Sequence, residues 1–232
     1  MEAITTVFQF EIRYNHILNF SQISRKILSP YVRLAKSIKV ENQNTIEERI
    51  IFNFGEEDYL IIVGWDRVLI KGQGNLSKYK TKNSSMETPF FSMLNQIKEL
   101  DEFGSINNVL LAVNYVKNLQ IKKEDLINQF IEKTITTNVS TILDENSDIA
   151  ITIENKEDGE EESVSFGPYF GSDELLRRPL LPINIDKLED TEFLGVMAEY
   201  KYVKFTKAVS FNDFVEMANK SEKTIERIWK MM

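Results

Sequence analysis

Few residues of this chain have the types and spacing that catalysis requires. His16 is the single histidine, so a Ser-His-Asp triad and a metal site with two histidine ligands are both excluded. Gly72-Gln73-Gly74 begins like a dinucleotide-binding fingerprint, but Ser77 stands where the third glycine would be. We therefore expect a protein that is not an enzyme, with no catalytic residues, no metal ligands and no cofactor.

A run of carboxylates in residues 157–162 has the side-chain chemistry that a divalent cation prefers. Calcium loops, however, place their oxygen ligands at alternate positions around a glycine turn, and three of these glutamates are consecutive. The run lies in the connection of a predicted hairpin whose strands are residues 148–154 and 163–166. Consecutive charges at such a tip are typical of a solvated cluster that protects a sheet edge.

Two other features favour contact with a partner. Residues 167–194 form a predicted loop that is long for a compact domain, and apolar side chains lie there beside two arginines, as in interface cores. A tryptophan in a predicted hairpin turn also needs cover. An arm packed over the protein's own sheet explains the long loop equally well. The candidate partner-binding residues are Trp65, Tyr169, Phe170, Leu175, Leu176, Arg177, Arg178, Leu180 and Leu181.

An alternative function is a small-ligand carrier whose sheet encloses a cavity. Aromatic and aliphatic residues on the apolar face of the predicted strands would line it. The candidate cavity residues are Phe52, Phe54, Val113, Tyr115, Tyr200 and Tyr202.

The composition narrows the class of protein further. The chain has 232 residues, no cysteine and a formal net charge of −8, which excludes a disulfide framework and disfavours nucleic-acid binding. No apolar run is long enough to span a bilayer, and no signal peptide is visible. We therefore expect a cytoplasmic protein with no membrane partner.

Apolar periodicity predicts the elements that position these residues. Residues 7–14 alternate apolar and polar side chains, as in a strand with one buried face, and a helical pattern follows. A similar strand and helix recur from Val109, and the alternating positions of the two strands match at a constant offset of 101 residues. Between them, Gly64-Trp65-Asp66-Arg67 is a predicted hairpin turn.

Each half of the chain reads strand, helix, several antiparallel strands, helix. This order predicts an α+β fold in which antiparallel sheets pack against helices. The halves, residues 1–104 and 105–232, are expected to pack as one compact unit. A duplication explains the echo between them, and so does the frequent chaining of hairpins and helices in unrelated α+β proteins.

Four stretches carry a resemblance to a known family: residues 59–70 with Asp66-Arg67-Val68; Tyr79 with a helix of Phe90, Phe91 and Leu94; Asn114-Tyr115-Val116-Lys117-Asn118; and Ser210-Phe211-Asn212-Asp213-Phe214. Together they resemble an uncharacterised, sporadically distributed family of bacterial proteins of about this length. The resemblance implies a stand-alone α+β protein with a patchy, accessory distribution, and it transfers no catalytic residue. The chain departs from the family pattern in two places. Lys117 is inserted where the family more often has a tyrosine and an asparagine separated by one residue, and residues 167–194 have no counterpart in the pattern.

These observations together favour a non-catalytic, cytoplasmic binding protein that acts through protein contacts, such as an immunity protein, an inhibitor or an accessory subunit. The acidic balance and the apolar segment with arginines support this hypothesis. The expected partner is a different protein or a second copy of the chain in a homodimer or larger oligomer.

Overall fold

The strands of this chain form one antiparallel sheet, which combines with helices into the α+β fold that the sequence predicts. The computed structural model describes residues 4–55, 59–119, 122–135, 149–170 and 194–232. The sheet has nine strands in the order β2-β3-β4-β5-β1-β6-β9-β8-β7. The strands are β1 (Ile4–Tyr14), β2 (Ser37–Glu41), β3 (Arg49–Asn53), β4 (Tyr59–Gly64), β5 (Arg67–Gln73), β6 (Ile106–Asn118), β7 (Ile151–Glu157), β8 (Glu160–Phe170) and β9 (Leu194–Phe205).

Four α-helices of the described residues pack on one face of this sheet, which we call the core face. They are α1 (Phe20–Leu28), α2 (Ser92–Lys98), α3 (Lys123–Thr134) and α4 (Phe211–Met231), with short helical turns at Ser29–Tyr31, Leu76–Tyr79 and Met86–Phe91. Their buried residues and the inward side chains of the strands belong to one continuous apolar cluster. No helix among the described residues combines the length and apolarity needed to cross a bilayer.

The two halves of the chain join where β1 pairs with β6 at the middle of the sheet. Phe10 lies opposite Leu111, with Phe8 opposite Val113 and Ile12 opposite Val109. Phe10 and Leu111 are also one of the position pairs related by the offset of 101 residues, and in the sheet this pair lies face to face. Each first strand also pairs with the last strand of its own half, β1 with β5 and β6 with β9. Duplication itself stays a prediction, as does the boundary after residue 104.

The last helix covers this central junction. Ser210 begins α4 with a capping box: its hydroxyl accepts from the Asp213 backbone N–H, and the Asp213 carboxylate accepts from the Ser210 backbone N–H at 2.8 Å. One turn later, the Phe214 ring lies 5.1 Å from the Phe10 ring and 6.3 Å from the Phe8 ring. The cap therefore fixes where the helix starts, and the aromatic contacts hold it against the β1–β6 pair.

The acidic hairpin is longer and tighter than the sequence predicts. β7 and β8 are separated by Asp158 and Gly159 alone, and Gly159 adopts a φ of +83° that glycine tolerates without strain. The carboxylates that were expected in a connecting loop therefore lie mostly on strands. β8 also continues to Phe170, so the first residues of the predicted long loop are strand residues.

Gly72 on β5 lets aromatic rings approach the sheet. It lies between Phe8 on β1 and Tyr59 on β4, and the Phe8 and Tyr79 rings pack edge to face at 4.5 Å above it. A Cβ atom at Gly72 would lie 2.2 Å from a Phe8 ring carbon and 2.8 Å from a Tyr79 ring carbon. The absent side chain at this position is therefore a packing requirement of the core.

We predict that Gly72→Ala destabilises the fold by about 1–3 kcal/mol, because buried rings must move to admit the methyl group. Gly55→Ala is the matched control, since a Cβ there meets a flexible Lys36 side-chain carbon at 3.2 Å. Urea denaturation of both variants at neutral pH checks this. Equal unfolding midpoints for the two variants would contradict the packing account.

Candidate functional site

The sheet has a second face, which we call the open face, and none of the described helices packs on it. A row of side chains crosses this face through six strands in direct register. Its members are Ile51, Ile62, Leu69, Glu11, Leu110 and Val203, on β3, β4, β5, β1, β6 and β9. We call the five apolar members the apolar row. Four of them are partly exposed, and the row spans roughly 24 Å at the usual strand spacing.

A second row runs beside the apolar row at one end of the strands. It contains Arg49, Gly64, Arg67, Arg13, Asn108 and Phe205, again placed by strand register. Phe205 is 54% exposed, which is a large apolar surface to leave in water. The open face thus combines a partly exposed apolar centre with arginines and an exposed aromatic ring beside it.

The turn between β4 and β5 is fixed by hydrogen bonds to the segment that follows β1. The Tyr14 hydroxyl donates to the Gly64 carbonyl at 2.6 Å, and the Tyr14 and Ile17 amides donate to the Asp66 and Trp65 carbonyls at 3.0 and 2.8 Å. Burial is the main cause that raises the pKa of Tyr14, so this phenol remains a donor throughout the physiological range. The turn therefore presents Asp66 in one orientation.

Five charged groups form a chain across the strands, which we call the charge chain. The Arg67 guanidinium donates to Asp66 at 2.6 Å and to Glu11 at 3.0 Å, and Arg13 donates to the same Glu11 oxygen at 2.5 Å. Glu11 is 3% exposed, whereas Arg13 is 46% exposed. Arg49 stands at the other end, beside Asp66. The sign of the charge therefore alternates along the charge chain, in the order Arg49, Asp66, Arg67, Glu11 and Arg13.

Within the charge chain, Asp66 and Arg67 are held in their charged states. Burial alone would raise the pKa of the Asp66 carboxyl, but the hydrogen bonds and charge of Arg67 and the charge of Arg49 lower it below its ordinary value. Hydrogen bonding to Asp66 raises the pKa of Arg67, with a further contribution from the charge of Glu11. General acid–base catalysis needs a group poised near neutral pH, and these shifts move away from it.

The predicted partner-binding residues lie in different places. The Trp65 ring is partly buried and packs 4.1 Å from the ring of His16, which is exposed, at the turn beside the charge chain. Tyr169 is buried with Val116 and Met197 in a small apolar cluster, and Phe170 is partly exposed. Strand register places Val116 and Met197 on the open face, at the end away from the arginines, so the exposed part of this face is the apolar row and the arginine end. Leu175, Leu176, Arg177, Arg178, Leu180 and Leu181 lie outside the described residues.

The six predicted cavity residues are all buried in the core, on strands of both halves: Phe52, Phe54, Val113, Tyr115, Tyr200 and Tyr202. A groove of about 520 Å³ lies elsewhere, between the segment before α2 and the start of α4. Phe91 and Phe211 line it together with polar residues that include Asn83, Glu87 and Asn95. This groove is large enough for a small ligand.

The acidic hairpin interacts with the last helix. Glu162 accepts hydrogen bonds from the Tyr200 hydroxyl at 2.9 Å and from Thr224 at 3.3 Å, and Lys220 lies 3.1 Å from it. The Lys220 ammonium also lies 4.3 Å from the centre of the Tyr202 ring. The prediction that the carboxylates form a solvated cluster is wrong for Glu162, because strand alternation turns this residue toward α4. The group ties β8 and β9 to the helix.

Five residues of the open face were not predicted as site residues from the sequence: Arg13, Arg49, Arg67, Leu110 and Phe205. Each lies on a strand at a position that alternates with buried core residues, which is the signal that could have placed them on a common face. Their grouping depends on which strands pair, and alternation within one strand does not show that.

A comparison with protein-family models finds no family that matches this chain, and a search of curated proteins finds no match. The resemblance to an uncharacterised bacterial family therefore stays a prediction. What the protein does has to be inferred from its own geometry.

We predict that Asp66→Asn lowers the free energy of unfolding at pH 7 by about 1–3 kcal/mol, because charged hydrogen bonds to Arg67 are lost. The folded-state pKa of Asp66 is depressed, so its contribution is present above its ordinary value of 3.8 and is lost as the pH falls below it. The difference between wild type and variant should therefore shrink between pH 5 and about pH 2.

Urea denaturation across this pH range measures the effect. The exposed Asp101, changed to Asn, is the matched control and should alter the unfolding free energy little at any pH. A difference between wild type and Asp66→Asn that stays constant with pH would show that the ionised carboxylate is not the source.

Proposed function

We propose that this chain is a non-catalytic, cytoplasmic binding protein whose open face docks a protein partner. Immunity proteins, inhibitors and accessory subunits work in this way. The observation that carries the proposal is the apolar row, which crosses six strands in register and is bordered by arginines and the exposed Phe205.

The composition of the open face supports a protein partner. Interface centres are apolar and enriched in aromatic residues and arginine, while lysine and acidic residues are depleted there. The apolar row is interrupted by a single carboxylate, Glu11, and two arginines neutralise it at 2.5 and 3.0 Å. Such a carboxylate can be buried by a partner without leaving an unpaired charge.

The shape of the face supports the same proposal. Small-molecule sites are concave and enclose most of the ligand, whereas a sheet face is broad and shallow. A width of roughly 24 Å accommodates a partner helix of about 10 Å diameter or two to three added strands. The pKa directions of Asp66 and Arg67 agree with binding, because these two groups are held away from proton transfer near neutral pH.

We predict that Phe205→Gln and Leu110→Gln each weaken partner capture at least about tenfold, the loss expected for a residue at the centre of an interface. Both side chains are partly or largely exposed, so the fold should tolerate the changes. Tagged wild-type and variant chains are incubated with lysate of the source cells, and retained proteins are quantified by mass spectrometry.

Met231→Gln is the matched control, because Met231 is 53% exposed at the end of α4 and is not on the sheet. A partner retained by wild type and by Met231→Gln but depleted by both open-face variants supports the proposal. Equal retention by all four chains would overturn it. Light scattering on the purified chain tests a second copy as the partner, since open-face variants should then shift a dimer to monomer.

The small-ligand carrier is the second candidate, and the groove beside Phe91 and Phe211 is the observation that favours it. A bound ligand stabilises the folded state by mass action, so a carrier should melt at a higher temperature with its ligand present. A thermal-shift screen therefore separates the two candidates.

A further inference from the structure

The charges on one part of the open face do not balance. Strands β3, β5 and β1 with the turn at Asp66 carry four cationic groups there, Arg13, Arg49, Arg67 and Lys71, against the carboxylates of Glu11 and Asp66. The chain as a whole carries a net charge of −8, so this local excess of positive charge runs against the average of the molecule.

Two of the four cations form hydrogen-bonded ion pairs with the carboxylates of the charge chain. The Arg67 guanidinium is shared between Asp66 and Glu11, and the Arg13 Nε–H is taken by Glu11. These pairs neutralise both carboxylates. The cations that remain are Arg49 and Lys71.

Arg49 forms no hydrogen bond or ion pair with any described residue, although it is partly buried. Glu41 on β2 lies opposite Arg49 in the strand register, but its carboxylate accepts from Lys39 at 2.7 Å. The Arg49 side chain lies across Gly64, where the missing Cβ leaves it room, and its Nε is inaccessible to solvent without an acceptor. Burial raises the pKa of Asp66, the hydrogen bonds and charge of Arg67 lower it, and Arg49 adds a smaller lowering through its charge alone. A buried donor without an acceptor costs free energy, and most such groups in proteins are satisfied by a partner, water or an ion.

Lys71 is the second cation without an acceptor among the described residues. It lies between Leu60 on β4 and Gln9 on β1, and it is only partly exposed. Burial lowers its pKa, which reflects an ammonium removed from water without a compensating carboxylate. An incoming carboxylate would supply what both cations lack.

The strand register sets the distance between the two cations. Arg49 on β3 lies beside Gly64, and Lys71 on β5 lies beside Leu60, so the two cations are four residues apart along β4, roughly 13 Å. They also lie on opposite sides of β4, two strand spacings or about 10 Å apart, which makes the diagonal between their backbones about 16 Å. Ile62 of the apolar row lies between them on the same face. An extended segment that crosses β4 along this diagonal places residues i and i+4 on one face about 13 Å apart, with residue i+2 between them. The long side chains of arginine, lysine and glutamate span the remaining few ångströms.

We infer that the open face takes an extended acidic segment of a protein partner, in which two carboxylates flank one apolar side chain. Arg49 binds one carboxylate, Lys71 binds the other, and the apolar side chain packs on Ile62. This inference rests on the proposed function and names the chemistry of the partner.

A nucleic acid would also offer anionic groups, but the face is poorly suited to it. Phosphate backbones bind to continuous basic surfaces, and here two carboxylates and an apolar row lie among the cations. A polyanion would also be repelled by the negative net charge of the protein.

Fluorescence anisotropy with a labelled peptide tests the inference. The probe is Ser-Glu-Thr-Leu-Thr-Glu-Ser, and the matched peptide has glutamine at both glutamate positions. Wild type should bind the glutamate peptide at least about tenfold more tightly at low ionic strength. In the double variant Arg49→Gln, Lys71→Gln this preference should disappear.

The control variant is Lys223→Gln, Lys230→Gln, which removes two exposed charges from α4 and should keep the preference. Absence of preference in wild type, or its persistence in the Arg49, Lys71 variant, would overturn the inference. An oligothymidylate that binds more tightly than the peptide and loses affinity in the same variant would also overturn it, in favour of a nucleic acid.

Partner capture separates this inference from the proposed function. If Phe205→Gln and Leu110→Gln abolish capture while the Arg49, Lys71 variant retains the partner fully, the open face docks a protein of different charge. If Phe205→Gln and Leu110→Gln leave capture intact, the proposed function itself fails.

Discussion

The pairing of β1 with β6 is the constraint on which the rest of this structure depends. Both strands are long, each is hydrogen-bonded on both sides, and together they join the strands of the two halves into one sheet. Their inward side chains are buried; Phe8 and Phe10 of β1 meet Phe214 of α4, and the Tyr115 hydroxyl of β6 hydrogen-bonds with Ser221 of the same helix. A helix that follows all nine strands in sequence is thereby fixed on the strands where the two halves meet. The two halves consequently share one core.

This arrangement leaves the two faces of the sheet with different tasks. Successive side chains of a strand point to opposite faces, so the apolar residues that build the core place no restriction on the residues between them. On the open face those residues can therefore be selected for contacts with other molecules. Strand register then assembles single positions into rows, which is how isolated residues such as Ile62, Leu110 and Val203 become a continuous surface.

Much of the fold could be predicted from the sequence, because the signals are local. Alternation identified β1 and β6, and Gly64-Trp65-Asp66-Arg67 correctly marked the β4–β5 turn. The acidic hairpin was misplaced because several charged residues continue both strands, so no change of composition marks their ends. The orientation of Glu162 toward Lys220 was not predicted for the same reason, since a residue assigned to a loop has no defined face.

The candidate site was less accessible to sequence reasoning. Trp65 was identified from its position in a turn, but Arg13, Arg49 and Arg67 are far apart in the chain and meet only through the order of strands. That order depends on long-range pairing, in which β1 lies between β5 and β6. The absence of a side chain at Gly64, which makes room for Arg49, is likewise visible only once the neighbouring strand is known.

The contact between Phe214 and the first strand also has a consequence for how the chain is made. Ribosomes release a protein from its N-terminal end, so Phe8 and Phe10 emerge long before the helix that covers them. Until then, the apolar face of β1 lacks this cover, and long-range contacts of this kind slow folding. Tyr79, Phe90 and Phe91 can pack on Phe8 and Phe10 earlier, but this part of the core is completed only after the last helix has left the ribosome.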